Sequence, residues 1–518
     1  MKPAVPLLQD FLEGAAARAP DKVAVIAGPR TATFAELDAR ANALATTLAR
    51  RGVARGDRVV VFAENDLEAV IAFWAALKAN GVATVVNAQT RTDKLAYYLA
   101  DSRATALVTE AKLAPTFAPA LARTPHLKTV VVAGDRGAMD APALPGAVTF
   151  EEAVEEGLGA GAPRRRCLDV DLAAIVYTSG STGDPKGVML THRNMLTAAT
   201  SVSTYLGYRE DDVVLCLMPL AFDYGLYQMI MSARTGARLL LERSFAFPVT
   251  VLERAVAHRA TVFPGVPTVF AMMAEMQSLD DYDLGRVRIV TNTAAALPVK
   301  HIRFLQRTFP TARIFSMYGL TECKRCTYLP PEDLDRKPTS VGIAIPNTEL
   351  WIVDEQDRRL GPGEIGQLVI RGATVMRGYW EKPEATAKKL RPGPLPGEQV
   401  LYTGDLCKLD EEGYLYFVAR MDDVIKTRGE KVAPKEVENA LVDVEGVREA
   451  AVIGVDDPLL GQAVKAFVTL EQGAAITPEE IRKQVQRRLE PFAVPKLVVV
   501  VPELPKTTTG KIKKTDLG

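Results

Sequence analysis

Before residue 349, short apolar runs alternate with stretches that repeat on a helical period. The runs at residues 58–62, 82–86, 173–177, 212–217, 237–241, 261–263, 288–291 and 312–315 read as buried strands. Helical patterns occupy residues 67–78, 249–258 and 299–308 between them. Runs that are apolar on both faces need cover on both, and strand–helix alternation supplies it by laying helices over parallel sheets. From residue 349 the texture turns β-rich, with runs at 351–353, 367–371 and 414–418 separated by glycine turns. A small barrel-like or antiparallel part is expected there. A boundary is expected near residues 420–423, followed by an α+β tail of about a hundred residues, the size of a small domain. Its predicted helices are 434–442 and 478–489, and its predicted strands are 450–453, 466–470 and 497–501. The expected class is α/β: a large N-terminal unit (1–419) of parallel-sheet subdomains plus a small β-rich part, then a small C-terminal unit (420–518).

Charge and cysteine usage remove several function classes. The 63 basic and 63 acidic side chains cancel, so no global basic field exists to hold nucleic acid. The densest positive patch, Arg164-Arg165-Arg166, reads as an exposed loop. Five cysteines are an odd number and suit a reducing compartment, so a cytoplasmic location is expected. Cys323 and Cys326 form a C-x-x-C, but His126, His192, His258 and His301 lie far apart in sequence, so the pair is read as incidental. The stretch 69–86 is the nearest approach to a membrane span, and Lys78, Asn80 and Gly81 interrupt it. The N-terminal residues do not read as a signal peptide.

The sharpest chemical signal is Tyr177-Thr178-Ser179-Gly180-Ser181-Thr182-Gly183-Asp184-Pro185-Lys186-Gly187. Small residues let backbone N–H groups converge on one point, hydroxyls add donors and a lysine adds a full charge, as a polyphosphate requires. The spacing is not that of a P-loop. Four further segments follow: Tyr318-Gly319-Leu320-Thr321-Glu322, Tyr402-Thr403-Gly404-Asp405, Arg420-Met421-Asp422-Asp423 with Ile425-Lys426, and Pro505-Lys506-Thr507-Thr508-Thr509-Gly510-Lys511.

In these five motifs, in this order, the sequence resembles the AMP-forming adenylating superfamily: acyl-CoA synthetases, adenylation domains and beetle luciferases. The resemblance covers essentially the whole chain. It implies ATP and Mg²⁺ as cofactors and a carboxylate that attacks the α-phosphorus, expelling pyrophosphate. A carboxylate is already ionised at neutral pH, so the chemistry rests on positioning and charge neutralisation and needs no protein base. By the match, Thr178 to Gly183 and Lys186 wrap the β- and γ-phosphates. Glu322 holds Mg²⁺, which wants oxygen ligands. Thr321 contacts the α-phosphate, and Tyr318 and Gly319 lie near adenine with Thr293, Ala294 and Ala295. Asp405 accepts the ribose hydroxyls and Arg420 donates to the ribose. Lys511 bridges carboxylate and α-phosphate. The C-terminal unit is implied to rotate about Asp422 between half-reactions, exchanging Lys511 for the face carrying Lys426, Gly429 and Glu430.

The same match starts the acid pocket at Asp223, Tyr224 and Tyr227 and adds Gly265, Asn292, Met317 and Arg325. Asp223 has three readings: partner of a substrate ammonium, cap of the following helix, or partner of Arg325, which would remove the case for an amino acid. Arg325 could also meet a second substrate carboxylate. Lys324 and Arg325, closely following Glu322, are unusual for the family. The expected function is an ATP-dependent carboxylate ligase ending in a thioester, with coenzyme A or a carrier-protein phosphopantetheine as acceptor. An amino-acid–carrier-protein ligase is the alternative within the family. A catalytically silent nucleotide-binding protein that retains the fold, and a luciferase-like monooxygenase, are the alternatives of other function classes.

Overall fold

The computed structural model describes residues 6–134, 147–178, 185–293, 297–427, 430–458, 460–506 and 512–517. Among them, two helix-covered sheets form the bulk of the molecule. One runs Gly378–Tyr379, Lys186–Thr191, Leu172–Thr178, Val82–Asn87, Arg58–Ala63, Ala104–Glu110, Thr129–Ala133, Ala147–Thr149. It is parallel from Leu172–Thr178 to Ala147–Thr149 and antiparallel at the other edge. Val59 to Phe62 are completely buried, which is why that strand shows no polar alternation. The helix Leu67–Lys78 is buried on every side, and its N-terminus is capped by the Asp66 carboxylate, which accepts from the Leu67 N–H. No helix among the described residues is long and apolar enough to cross a membrane.

The other large sheet runs Ile343–Ala344, Lys324–Leu329, Arg313–Leu320, Ile289–Asn292, Val262–Gly265, Val213–Cys216, Arg238–Leu241, Val23–Ala27, Arg30–Thr33. Its centre is parallel and both edges are antiparallel. The strand Arg313–Leu320 continues well past the apolar run 312–315, because its last three residues are only half-buried and carry no uniform apolar signal.

The β-rich part is an antiparallel sheet of Thr348–Val353, Gly366–Gly372, Gln399–Leu409, Leu390–Pro392 and Leu415–Arg420. Its register sets Asp405 directly opposite Arg420. Beyond it, a further sheet carries its own core of Val437, Leu441, Val452, Val464, Val468 and Ile481. Here Val447–Asp457 and Gly461–Leu470 form one long hairpin. The sequence pattern shows only its apolar inner parts, since Asp456 and Gln462 face each other at its polar end. The helix Pro478–Val485 stops four residues before the expected 489. This unit meets the rest through Arg448 to Glu275 at 2.7 Å and Lys300 to Glu471 at 3.4 Å.

Candidate active site

The first motif begins where Leu172–Thr178 ends. Thr178 lies opposite Lys186 and its hydroxyl donates to the Lys186 carbonyl at 3.4 Å. Thr178 and Lys186, which flank the expected phosphate loop, are therefore fixed on paired strands; Ser179, Gly180, Ser181, Thr182 and Gly183 lie outside the described residues. The Lys186 ammonium sits 5.6 Å above the Tyr379 ring. The Tyr379 hydroxyl donates to Glu322 Oε1 at 2.7 Å, so one tyrosine links the loop lysine to the expected metal-holding carboxylate. Burial, reinforced by Glu322, pushes the Tyr379 hydroxyl up, so it stays protonated as a donor.

Glu322 reaches that place through a hairpin, not a helix. Strand Arg313–Leu320 turns back at Thr321, Glu322 and Cys323 into Lys324–Leu329. The turn puts Lys324 at φ +65°. A Cβ at Gly319 would lie 1.8 Å from the Lys324 carbonyl oxygen, so the motif glycine is a steric necessity of the turn.

Across the site, Asp405 is only 1% exposed. Its Oδ2 accepts from the Tyr318 hydroxyl, and its Oδ1 lies 3.0 Å from Arg420 Nε. Tyr318 also packs against Phe417 at 6.2 Å. Gly404 has φ +79°, and a Cβ there would lie 2.7 Å from the Lys389 ammonium. Lys389 donates to the Thr403 carbonyl at 2.6 Å, with Glu322, Arg420, Asp405 and Asp422 around it, and burial lowers its pKa.

The expected acid pocket lies on the opposite face of the same hairpin. Tyr224, Tyr227, Met231, Met317, Lys324 and Arg325 are among its walls, and the space they leave is narrow. The Tyr224 hydroxyl bonds Thr291 Oγ1 at 2.6 Å, and Met317 Sδ accepts from Tyr205 at 2.9 Å. Asn292 and Thr293 are buried at the end of the neighbouring strand, while Ala294 and Ala295 lie outside the described residues. Asp223 is the first residue of the helix Asp223–Thr235, and Phe222 occupies the cap. Its carboxylate accepts from Arg325 Nη1 at 3.1 Å, and the guanidinium lies 4.8 Å over Tyr224. Of the three readings of Asp223, the ion pair with Arg325 is the one formed. Gly265 abuts the Phe270 ring, where a Cβ would come within 2.4 Å, so packing accounts for its small size.

The comparisons with known proteins decide the family. Residues 12–380 match the AMP-binding enzyme family, and residues 436–511 match the AMP-binding enzyme C-terminal domain. The chain belongs to the AMP-forming adenylating superfamily. Over 533 residues it is 31% identical to a long-chain-fatty-acid–CoA ligase of Bacillus subtilis, covering 98% of this chain and 94% of the relative. It is 31% identical to 4-coumarate–CoA ligase 5 of Oryza sativa, with the same coverage. ATP-bound MatB from Rhodopseudomonas palustris superimposes with a TM-score of 0.88 at 30% identity, covering 98% of each chain. This adenylating enzyme is by class an acid–thiol ligase.

Within the adenylating enzyme, Glu322 fits a magnesium ligand. One oxygen takes the Tyr379 hydroxyl, and no hydrogen bond engages the other among the described residues. Mg²⁺ commonly uses one or two carboxylates together with substrate phosphates. No group of three or more His, Cys, Asp or Glu able to hold a metal occurs among the described residues. Cys323 and Cys326 are buried with their sulfurs 3.0 Å apart, flanking Lys324 and Arg325. Asp422 lies in the single turn Met421–Asp423, directly after Arg420. Lys426 is exposed on the strand Ile425–Thr427, and its backbone N–H donates to Gln462 at 2.9 Å. Gly429 and Lys511 lie outside the described residues. Lys506, just before the segment with Lys511, is tied to Glu449 at 2.7 Å.

Three residues of the site had no clear sequence signal. Tyr379 reads as a core aromatic, and Lys389 reads as a solvated lysine at the end of the helix Pro383–Lys389. Lys324 stands out only as unusual by its position. It is 1% exposed, lies 5.6 Å above the Tyr227 ring, and burial pushes its pKa down to about 8.

Proposed function

We propose that this adenylating enzyme is an ATP- and Mg²⁺-dependent carboxylate–CoA ligase acting in the cytoplasm. The observation that carries this reading is the hairpin of Arg313–Leu320 and Lys324–Leu329. Successive strand residues point to opposite faces. Tyr318 therefore meets Asp405 on one side while Met317 walls the acid pocket on the other. A nucleotide and an acid held by these two faces meet at the turn carrying Thr321 and Glu322.

In the first half-reaction a carboxylate oxygen bonds to the α-phosphorus of ATP as the bond to the β-phosphate bridging oxygen breaks. The products are an acyl-adenylate and pyrophosphate. Asp405 and Arg420 hold the ribose, Tyr318 lies near adenine and donates to Asp405, and Thr178 to Gly183 with Lys186 gather the outer phosphates. Glu322 would hold Mg²⁺, which when bound neutralises phosphate charge. Lys511 supplies a cation at the acyl–phosphate junction, where charge moves between oxygens. In the second half-reaction the thiol of coenzyme A adds to the acyl carbon, AMP departs and the thiol proton goes to solvent. Rotation about Asp422 exchanges Lys511 for the face that bears Lys426, in the unit of residues 420–518. The long-chain-fatty-acid and 4-coumarate relatives, both CoA ligases, support coenzyme A as acceptor. The Asp223–Arg325 pair speaks against an amino-acid substrate, because the carboxylate that would meet an ammonium is already engaged.

The test supplies purified enzyme with ATP, Mg²⁺, coenzyme A and a panel of aliphatic, aryl and amino acids. AMP, pyrophosphate and thioester formed in equal amounts support the reading. Formation of ADP and phosphate overturns it. Turnover only with a phosphopantetheinylated carrier protein replaces coenzyme A as the acceptor.

A further inference from the structure

The acid pocket is over-supplied with positive charge. Lys324 and Arg325 are adjacent in sequence and both line it. Strand neighbours normally face opposite ways, but the positive φ of Lys324 at the hairpin turn lets both side chains border one cavity. Arg325 spends Nη1 on Asp223, while its Nε has no hydrogen-bond partner among the described residues. The Lys324 ammonium has none either, and neither has the Tyr227 hydroxyl beneath it. Lys324 is 1% and Arg325 6% exposed, so water does not meet these groups in bulk. Glu322 is the next carboxylate to Lys324, but it is held by Tyr379 on the nucleotide side of the turn.

A buried cation without a partner is costly, and two cations facing one carboxylate leave a surplus of one positive charge. An acid with a plain hydrocarbon tail would bury that surplus further. An ammonium-bearing acid would add a third cation. A second anionic group on the substrate would satisfy the Lys324 ammonium, the Arg325 Nε and the Tyr227 hydroxyl together. The cavity walled by Tyr224, Tyr227, Met231 and Met317 has room for about one water molecule, so these side chains must part to admit even a short acid.

We infer that the pocket takes a short dicarboxylic acid: one carboxylate reacts with ATP and the other is held by Lys324 and Arg325. This rests on the ligase reading above and names the substrate class that the same site selects. Lys324 is then the residue that reads the distal carboxylate, and Asp223 orients Arg325 for it.

The experiment measures acid-dependent pyrophosphate release with malonate and succinate, each against its half-amide and the monoacid of equal chain length. The expected result is a kcat/KM for the diacid at least about tenfold above both analogues, as for a site whose buried donors are left unpaired by the wrong substrate. In Lys324→Met the diacid-to-monoacid ratio falls to about one or below, and in Lys324→Arg it is largely restored. A wild-type ratio at or below one overturns the inference, and so does a half-amide as good as the diacid, which would mean the pocket reads polarity and not charge. A ratio unchanged in Lys324→Met removes Lys324 from the role. The wild-type comparison decides even if the variants fail to fold. If monoacids release pyrophosphate and diacids do not, this inference alone fails; if no acid does, the ligase reading fails with it.

Discussion

Arg325 Nη1 donates to Asp223 Oδ2 across 3.1 Å, with the guanidinium 4.8 Å over the Tyr224 ring. The contact joins the return strand of the hairpin, Lys324–Leu329, to the helix Asp223–Thr235. It converts a carboxylate that would have argued for an amino-acid substrate into the partner of a buried arginine.

Asp223→Ala is therefore expected to act on stability before specificity. It leaves Arg325 buried and unpaired, which costs about 2–3 kcal/mol, below the full cost of breaking a buried pair because Asp223 keeps some exposure. Chemical denaturation should show the loss, with the surviving activity reduced most for diacids, whose second carboxylate Arg325 helps to hold. Wild-type stability in Asp223→Ala, together with a selective loss of amino-acid turnover, would contradict the pairing.

Tyr318→Phe removes the hydroxyl that donates to Asp405. A hydrogen bond to a charged group contributes about 1.5–3 kcal/mol, so KM for ATP should rise by roughly tenfold or more. KM for the acid should move little. Equal changes in both would show that the residue supports the whole site and not the ribose carboxylate.

Lys511→Ala should lose about 3–4 kcal/mol of transition-state stabilisation in adenylation, roughly 10²–10³-fold in rate. Thioester formation from a supplied acyl-adenylate should survive. Normal pyrophosphate release by the variant would refute the role.

Asp422→Pro stiffens the turn after Arg420 by fixing φ and removing a backbone donor. Thioester formation should fall more than adenylate formation when the half-reactions are timed separately. An equal fall in both would count against rotation about this residue.

Stability should also respond to acid through two histidines. Burial pushes His192 down to about 4; its Nδ1 accepts from the Leu8 N–H at 3.1 Å. Burial, with Lys300 beside it, pushes His301 down to about 4. Both folded pKa values lie below the unfolded one, so the unfolded chain takes up these protons first. Their contribution is complete above about pH 6.5 and is lost as the pH falls toward 4. Each proton adds a slope of up to about 1.4 kcal/mol per pH unit in that window. Denaturation midpoints at several pH values should show His192→Asn lowering the slope by about one proton; an unchanged slope would contradict its buried neutral state.

The sequence was most legible where burial is uniform. The helices Leu67–Lys78 and Pro434–Val442 have the expected bounds, because a continuous apolar stretch and a proline start define them. Leucine-rich and valine-rich inner strands were equally plain. The strand Arg313–Leu320 was not: it reads as apolar only in its first half, since Tyr318 to Leu320 are half-buried and Gly319 is required by the turn. The motifs named Asp405 together with its partners Tyr318 and Arg420, but for Glu322 they did not name the group that holds it. Tyr379 arrives from another sheet edge, and Lys389 from a helix end, at separations of 57 and 14 residues from their partners. Lys324 stood out by position, but its burial was not legible, because a surface lysine and a buried one look alike until the hairpin turn is known.

The most direct measurement follows a heavy-oxygen label from the acid's carboxylate through one full turnover. In the acyl-adenylate a carboxylate oxygen bridges carbon and the α-phosphorus, and it stays on phosphorus when the thiol takes the acyl group. The account predicts one labelled oxygen in the AMP released with each thioester. Unlabelled AMP beside a labelled thioester, or label appearing in inorganic phosphate, would contradict it.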